Sequence, residues 1–263
     1  MKLWQRVLVT VVITLAVIFV AVNWVAPVAL SYYAARKAPA VTRIVPTELK
    51  DKSISNAPGM KVSYFGYEFE APWNDLDDSQ TKLYPTNAAA KNMAVLHFRS
   101  GLALMVKAIP PQEWINKFSI SWNLSQSSIA EAFKRKGIKS DYDFVRTVYE
   151  FTPDRMHLWA LSQRLHSTEE FLLSMKSATP LKSAETGIFR IENQDFKGFQ
   201  QGDPGSHQDG IVVDLYSDQG SVEIIFLQKD FHNPGGGVTQ PEINGIVASM
   251  RRASPDMTAA SMN

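Results

Sequence analysis

Short apolar runs bounded by turn residues predict β-strands in four parts of the chain. In VSYFGYEFEAPW (62–73), Phe65, Tyr67 and Phe69 alternate with polar positions, which is typical of one half-buried strand that stops at Pro72. Turn residues inside the other runs divide each run into two strands. Hairpins are therefore predicted at 92–109, with its turn at Ser100-Gly101, at 187–201, and at 210–229, with Ser217 to Gly220 as the loop.

Other segments repeat their apolar positions with the period of an α-helix. In TQPEINGIVASMRR (239–252), Ile243, Ile246, Val247 and Met250 fall on one stripe that must lie on the sheet. Capping residues, first-turn prolines or closing glycines mark further helices at 109–118, 127–137, 140–151, 152–165 and 167–177.

The order of these elements predicts an α+β fold. Short loops between neighbouring strands favour an antiparallel sheet of about six to seven strands packed with helices, with a helical segment in the middle of the domain.

The run Val7 to Trp24 is apolar enough to predict an N-terminal transmembrane helix ahead of this domain. No ionisable residue occurs from Val7 to Tyr33, and about 20 apolar residues cross the roughly 30 Å of a bilayer core. Trp4 and Trp24 are separated by about 30 Å along a helix, a spacing that suits the two membrane interfaces. A cleaved signal peptide is the alternative, but its apolar core is usually shorter and a clear cleavage site is missing. An uncleaved anchor is the favoured interpretation.

Positive charges flank both ends of this run, so their count does not orient it. Because the tail before the run is short and the segment is built like an uncleaved export signal, we expect the main domain to be periplasmic or extracellular. The predicted organisation is a transmembrane anchor (1–35), a juxtamembrane linker (36–60), one extracytoplasmic domain (61–253) with a helical insertion (127–177), and a disordered tail (254–263).

Composition excludes some partners and leaves others open. The formal net charge is +1, without the basic surplus that nucleic-acid binding requires, so no nucleic acid is expected. There is no cysteine, which excludes disulfides and a lipoprotein anchor but fits any compartment. The expected partners are the lipid bilayer, through the N-terminal helix, and an envelope protein or apolar ligand.

Motifs for catalysis, metals and cofactors are missing from the sequence. There is no Gly-x-Ser-x-Gly elbow and no His-Glu-x-x-His pair, and the acidic loop NDLDD (74–78) lacks the glycine and final glutamate of a calcium loop. We therefore expect no catalytic residue, metal or cofactor. If the chain were a hydrolase with scattered site residues, His157, His207 and Asp209 would be the first candidates.

Apolar residues occur on more than one face of the predicted helices within 152–177. One interpretation is a helix pair buried against the sheet and against each other. The other is a surface that binds an apolar ligand, a partner helix or lipid. The candidate residues for that surface are Met156, Trp159, Leu161, Phe171, Leu172 and Met175.

The order of elements resembles the PsbP-like superfamily, named for an extrinsic subunit of a photosystem. The likeness is carried by YEFEAPW (67–73), the hairpin around Ser100-Gly101 and PEINGIVASM (241–250), whereas the helical stretch 127–177 departs from the family pattern. The resemblance implies a non-enzymatic binding or assembly role at a membrane and assigns no functional residue.

These observations together predict a membrane-anchored, extracytoplasmic, non-catalytic binding or assembly module. The alternatives are the membrane-anchored hydrolase and a domain that only spaces or stabilises a complex.

Overall fold

The chain has an α+β fold in a computed structural model that describes residues 3–21, 25, 29, 37, 40–55, 59–84, 92–111, 113, 133–134, 136–155, 169, 171–173, 175–176, 187–204, 210–228 and 237–253. It divides into two compact units. The first contains Met1–Arg43 and Phe151–Pro180, and the second contains Ile44–Glu150 and Leu181–Asn263.

The first unit includes helix α1 (Leu3–Val20) and two short 3-10 turns, Ala40–Arg43 and Pro153–Arg155. Arg43 and Asp154 join these turns through an ion pair of 2.8 Å. Within the described residues, no helix is both long and apolar enough to cross a membrane. The predicted transmembrane helix is therefore unsupported by the described structure and stays a prediction.

An eight-stranded mixed sheet forms the larger part of the second unit. Its strands run in the order β1-β7-β8-β9-β10-β6-β5-β4, where β1 is Thr47–Glu48, β4 Lys82–Tyr84, β5 Met93–His97, β6 Leu102–Ile109, β7 Ile188–Glu192, β8 Lys197–Gln201, β9 Ile211–Ser217 and β10 Gly220–Gln228. The prediction of an antiparallel sheet of about six to seven strands is confirmed only in part, because the sheet has eight strands and one parallel pair. The short strand β1 comes from the predicted linker and pairs in parallel with β7. Because a hairpin turn cannot join two parallel strands, strands paired in this way lie apart in the chain.

A second, three-stranded sheet contains β2 (Met60–Tyr64), β3 (Tyr67–Ala71) and β11 (Arg251–Arg252). The prediction of a single strand over 62–73 is wrong here, because β2 and β3 form a tight hairpin. Phe65 and Gly66 have φ values of 55° and 81° at the turn. Two successive positive φ angles give the backbone twist that a two-residue hairpin favours, and Gly66 adopts one of them at little steric cost.

The three predicted hairpins are confirmed. β5 pairs with β6, β7 with β8, and β9 with β10, all antiparallel. In the last hairpin Ser217 pairs directly with Gly220, so that the loop contains only Asp218 and Gln219.

Two of the predicted helices lie within the described residues. The helix at 140–151 is confirmed, and the helix at 239–252 is confirmed as far as Ser249, beyond which Arg251 and Arg252 pair with β3 as strand β11. Helix α2 (Asp141–Glu150) follows Ser140, whose hydroxyl accepts a hydrogen bond of 3.1 Å from the Asp143 amide. In helix α3 (Gln240–Ser249), the Glu242 carboxylate accepts 2.7 Å and 2.9 Å hydrogen bonds from the Thr239 amide and hydroxyl. The predicted helices at 109–118, 127–137 and 152–165 lie mostly outside the described residues. In the predicted helix at 167–177, the described residues 169, 171–173 and 175–176 are helical.

The hydrophobic core combines residues of both sheets and of α3. The predicted apolar stripe of α3 is buried, with Ile243 and Ile246 fully covered and Val247 and Met250 nearly so. These side chains lie against residues of β3 such as Phe69 and residues of β9 such as Leu215 within one cluster. The opposite face of the large sheet carries α2.

Part of the predicted linker is fastened to the folded domain. The Asn244 side-chain amide on α3 donates hydrogen bonds to the carbonyl oxygens of Asp51 (2.9 Å) and Ser53 (2.7 Å). The Ser55 amide donates a third bond, of 2.9 Å, to the Pro241 carbonyl. The chain from β1 to Ser55 thus runs along α3.

Candidate functional site

A polar groove of about 400 Å³ lies where α2, the β7–β8 turn and the β9–β10 turn meet, and we call it the α2 groove. Each wall comes from an element whose position is fixed by local sequence signals. Its lining residues share polar or aromatic character: Ser140, Tyr142, Asp143, Arg146, Asn193, Gln194, Asp195, Phe196, Lys197, Tyr216, Ser217 and Asp218.

Tyr142 connects the wall of the α2 groove to the sheet. Its ring stacks on Phe199 with 5.5 Å between centroids and 13° between planes, and it makes a tilted contact with Tyr216 at 6.1 Å. The Arg146 guanidinium lies 5.6 Å from the centre of the Tyr142 ring and 3.1 Å from the Asp143 carboxylate. These contacts hold the cation of Arg146 in place at the groove.

Asn193 holds the second wall of the α2 groove. Its side-chain carbonyl accepts hydrogen bonds of 2.8 Å from the amides of both Asp195 and Phe196, closing the β7–β8 turn. Its side-chain amide donates to the carbonyls of Val247 (2.7 Å) and Met250 (2.8 Å) at the end of α3. The turn is therefore tied to a helix of the core before any ligand arrives, which makes this wall preorganised.

Two further hollows adjoin the α2 groove and share its residues. One of about 380 Å³ shares Tyr142 and Asn193 and continues along β7 to Arg190 and Lys52. The other, of about 270 Å³, shares Asn193, Gln194 and Asp195 and reaches Arg251. The three hollows surround the β7–β8 turn, so a partner larger than a small molecule has a continuous uneven surface to contact.

Charges of both signs line the α2 groove. Arg146 and Lys197 supply positive charge, and Asp143, Asp195 and Asp218 supply negative charge. Such a mixture favours a polar partner with donors and acceptors over a strongly charged polymer.

Beneath α2, three ionisable side chains occupy one rung of the large sheet, which we call the acid rung. Asp214 on β9 is the register partner of Glu223 on β10, and Glu223 is the register partner of Lys107 on β6. Lys107 Nζ lies 3.8 Å from Glu223 Oε1. The rung runs from a nearly fully buried acid to a partly exposed lysine, since Asp214 is 5% exposed and the Lys107 side chain 30%.

Gln201 links the acid rung to α2. Its side-chain Nε2 donates to Tyr149 Oη at 2.8 Å and to Asp214 Oδ2 at 3.3 Å. Burial, with a smaller contribution from the charge of Glu223, raises the pKa of Asp214 to about 8. The same burial, reinforced by Asp214, raises the pKa of Tyr149 and Tyr216 well above the usual value. At neutral pH, Asp214 therefore carries a proton.

The predicted apolar site on 152–177 falls partly outside the described residues. Met156, Trp159 and Leu161 are not among the described residues. Phe171 is partly exposed, whereas Leu172 is 1% and Met175 4% exposed. The two buried side chains present little surface to a ligand in this conformation.

The residues weighed for catalysis and metal binding are not brought together in the described structure. His157, His207 and Asp209 lie outside the described residues, so the hydrolase candidates stay a prediction. In the acidic loop, Asp77 Oδ1 accepts hydrogen bonds from the Ser79 amide and hydroxyl, and Asp75 Oδ2 accepts one from the Ser100 amide. In the part of the chain that is described, no group of three His, Asp or Glu residues is placed to hold a metal ion.

Sequence reasoning missed both the α2 groove and the acid rung. The rung had a signal, because Asp214 and Glu223 each interrupt an apolar strand and lie opposite each other once the Ser217–Gly220 turn sets the register. No local sequence pattern indicated the α2 groove, because its walls come from segments distant in the chain.

Comparisons with protein-family models, with curated proteins and with solved structures find no match to this chain. The resemblance to the PsbP-like superfamily thus stays a prediction.

Proposed function

We propose that the chain is a membrane-anchored, extracytoplasmic, non-catalytic module that binds a polar partner through the α2 groove. The observation that carries the anchor is the exposure of α1: every side chain from Val9 to Val20 is exposed, and only Thr10 and Thr14 among them are polar. A helix that is apolar on all sides is suited to lipid rather than to water.

The length of the apolar run also supports the anchor. α1 has 18 residues, which span about 27 Å, and its first turn includes the charged Arg6. The uncharged sequence continues beyond Val20 to Tyr33, through residues that are mostly outside the described set. A helix that continued into this stretch would exceed the roughly 30 Å of a bilayer core.

The partner-binding part of the proposal depends on the α2 groove. Its walls are held by Asn193 and by the capped start of α2, so a partner does not have to order them on binding. Its mixed charges fit a polar protein surface or peptide better than an apolar ligand.

Alkaline extraction of membranes tests the anchor in the full chain. We expect the wild-type chain to stay with the membrane pellet and the double variant Val12→Arg/Ile18→Arg to be released, because arginine at a bilayer centre is strongly disfavoured. The matched control Val12→Leu/Ile18→Leu keeps the apolar character and should stay in the pellet. Release of the wild-type chain would reject the anchor.

Labelling in intact cells tests the location of the domain. Gln219 is exposed in the β9–β10 loop and the chain has no cysteine, so Gln219→Cys supplies one thiol. We expect a membrane-impermeant maleimide to label it without cell lysis. Labelling only after lysis would place the domain on the cytoplasmic side.

Site-specific photocrosslinking tests the α2 groove. A photoreactive residue at Lys197 should give a discrete adduct in membranes, and the added substitution Arg146→Glu should remove it. The same residue at Lys82, exposed on β4 and distant from the α2 groove in the sheet order, is the control. Equal adducts at both positions would reject the groove as a binding site.

The acid rung favours a second candidate, a hydrolase. Two adjacent carboxyl groups are typical of an acid–base pair, and burial raises the pKa of Asp214 to about 8. Turnover of chromogenic esters, phosphates or glycosides that both Asp214→Asn and Glu223→Gln abolish would support this candidate. The absence of turnover by the wild-type chain on all three substrate classes would leave the binding module as the better account.

A further inference from the structure

Helix α2 is attached to the sheet by contacts that converge on Asp214. The Tyr149 ring lies edge-on to Phe199, with 5.1 Å between centroids, and Tyr149 Oη accepts the hydrogen bond from Gln201. Gln201 donates its other N–H to Asp214. The last turns of α2 are thus linked to Asp214 by the side-chain amide of Gln201.

The surroundings of Asp214 suit a neutral carboxyl better than a charged one. Glu223 faces it from β10, and the cation beyond, Lys107 on β6, lies against Glu223. Among the described residues of the elements packed around Asp214, the other titratable or charged groups are Tyr216 on β9, Lys197 at the exposed start of β8, and Asp141, Tyr142, Asp143, Arg146, Tyr149 and Glu150 on α2. Arg146 is paired with Asp143, and Glu150 is paired with Arg190 of β7.

We propose that the acid rung is a proton-sensitive latch: α2 is docked on the sheet while Asp214 holds its proton, and its last turns move away from the sheet when Asp214 and Glu223 are both charged. The strands cannot separate to relieve that repulsion without breaking their backbone ladder. By contrast, α2 is held to the sheet by side chains, so its movement admits water to Asp214 at lower cost.

Burial of Asp214 sets the pH range over which the latch responds. Burial and Glu223 raise the pKa of Asp214 to about 8 in the docked form, and water admitted by opening returns it towards its usual value. The open form therefore gains as the pH rises towards 8 and levels off above it, where Asp214 is charged in both forms. Because Arg146 of α2 lines the α2 groove, movement of the last turns of α2 also changes that wall of the groove.

Thiol labelling of the full chain tests the latch. The chain has no cysteine, and Val148 is 4% exposed on α2, so Val148→Cys places a nearly isosteric, buried reporter on the helix. Its labelling rate is compared with that of Val148→Cys/Asp214→Asn between pH 6.5 and 9.5. Both proteins carry the same thiol, so the pH dependence of the thiol chemistry cancels in the ratio.

We expect the ratio to rise about tenfold from pH 6.5 to pH 8 and to level off between pH 8 and 9.5. A ratio that does not change with pH would overturn the latch. A control pair with Ile246→Cys on α3 should keep a ratio near one throughout. A similar rise at Ile246 would indicate general unfolding and would also overturn the latch.

If the Val148 variant fails to fold, hydrogen exchange of the cysteine-free chain gives the same test. The α2 amides of the wild-type chain should lose protection relative to Asp214→Asn as the pH rises towards 8, whereas the amides of α3 should not. Equal protection of α2 in both proteins would reject the proposal.

Discussion

Asp214 and Glu223 are register partners on adjacent antiparallel strands, so two carboxyl groups face each other on the side of the sheet that carries α2. Like charges directly opposite each other in a sheet are destabilising. The structure tolerates the pair because Lys107 lies beside Glu223 and because Asp214 is neutral when protonated.

The first prediction concerns the pH dependence of stability. The pKa of Asp214 is raised from 3.8 to about 8, so the folded chain binds more protons than the unfolded chain between these values. Stability is therefore highest below pH 4 with respect to this group and falls as pH rises towards 8. Asp214→Asn should remove this slope and raise the free energy of unfolding by about 2 kcal/mol or more near pH 8.

Thermal unfolding of the full chain in detergent at pH 5, 6.5 and 8 measures this difference. Lys176, whose pKa burial lowers to about 8, titrates at the upper end of this range, so the comparison between pH 5 and 6.5 isolates Asp214 from it. Asp195→Asn, an exposed acid on the β7–β8 turn, is the control and should leave the slope unchanged. Parallel slopes for Asp214→Asn and wild type would contradict the prediction.

The second prediction concerns Asn193, which makes four hydrogen bonds that join the β7–β8 turn to α3. Asn193→Ala should lower the free energy of unfolding by about 2–3 kcal/mol, because the backbone groups that it serves lose their partner. The neighbouring exposed residue offers the control Gln194→Ala, with an expected change within about 0.5 kcal/mol. Equal urea midpoints for the two variants would show that the turn does not depend on Asn193.

The third prediction compares one substitution at two glycines. A Cβ at Gly198 would lie 2.0 Å from the carbonyl oxygen of Asp214 on the neighbouring strand, whereas a Cβ at Gly245 has its nearest contact at 3.7 Å, with Ile54. Gly198→Ala should destabilise the chain by about 3 kcal/mol or more. Gly245→Ala should raise stability by up to about 1 kcal/mol, since alanine favours a helix. Melting temperatures that move in the same direction would refute this contrast.

The fourth prediction concerns Glu242, which caps α3 and also accepts a 3.1 Å hydrogen bond from the indole N–H of Trp73. Glu242→Ala should reduce stability by about 1–2 kcal/mol, through loss of the cap and of a charge-assisted hydrogen bond. Glu242→Gln keeps an acceptor for the Thr239 amide and should lose about half as much. Chemical unfolding followed by circular dichroism distinguishes the two, and equal losses would mean that the acceptor geometry is unimportant.

Local patterns in the sequence were sufficient for much of the fold. The hairpin loop at Ser217 to Gly220 set the register of β9 and β10, and the stripe from Ile243 to Met250 identified the buried face of α3. Both features depend on residues close together in the chain, where period and turn chemistry determine structure. Gly66 also indicated a turn, but the alternation of apolar and polar residues on both sides of it favoured one continuous strand.

Features that depend on distant segments were not predictable from those patterns. β1 pairs with β7 across more than 140 positions of the chain, and no local pattern predicts such a strand. The α2 groove likewise combines α2 with two turns that follow it by about 50 and 75 residues. A site assembled in this way has no motif, whereas the apolar residues within 152–177 could be predicted as a surface because they are contiguous in the chain.

The attachment of residues 47–55 to β7 and α3 has a practical consequence for any shortened version of the protein. A fragment that starts at Met60 would lack β1 and the three hydrogen bonds to Asn244 and Pro241, and it would expose an unpaired edge of β7 that can recruit other chains. A fragment meant to remain monomeric therefore has to begin before Thr47.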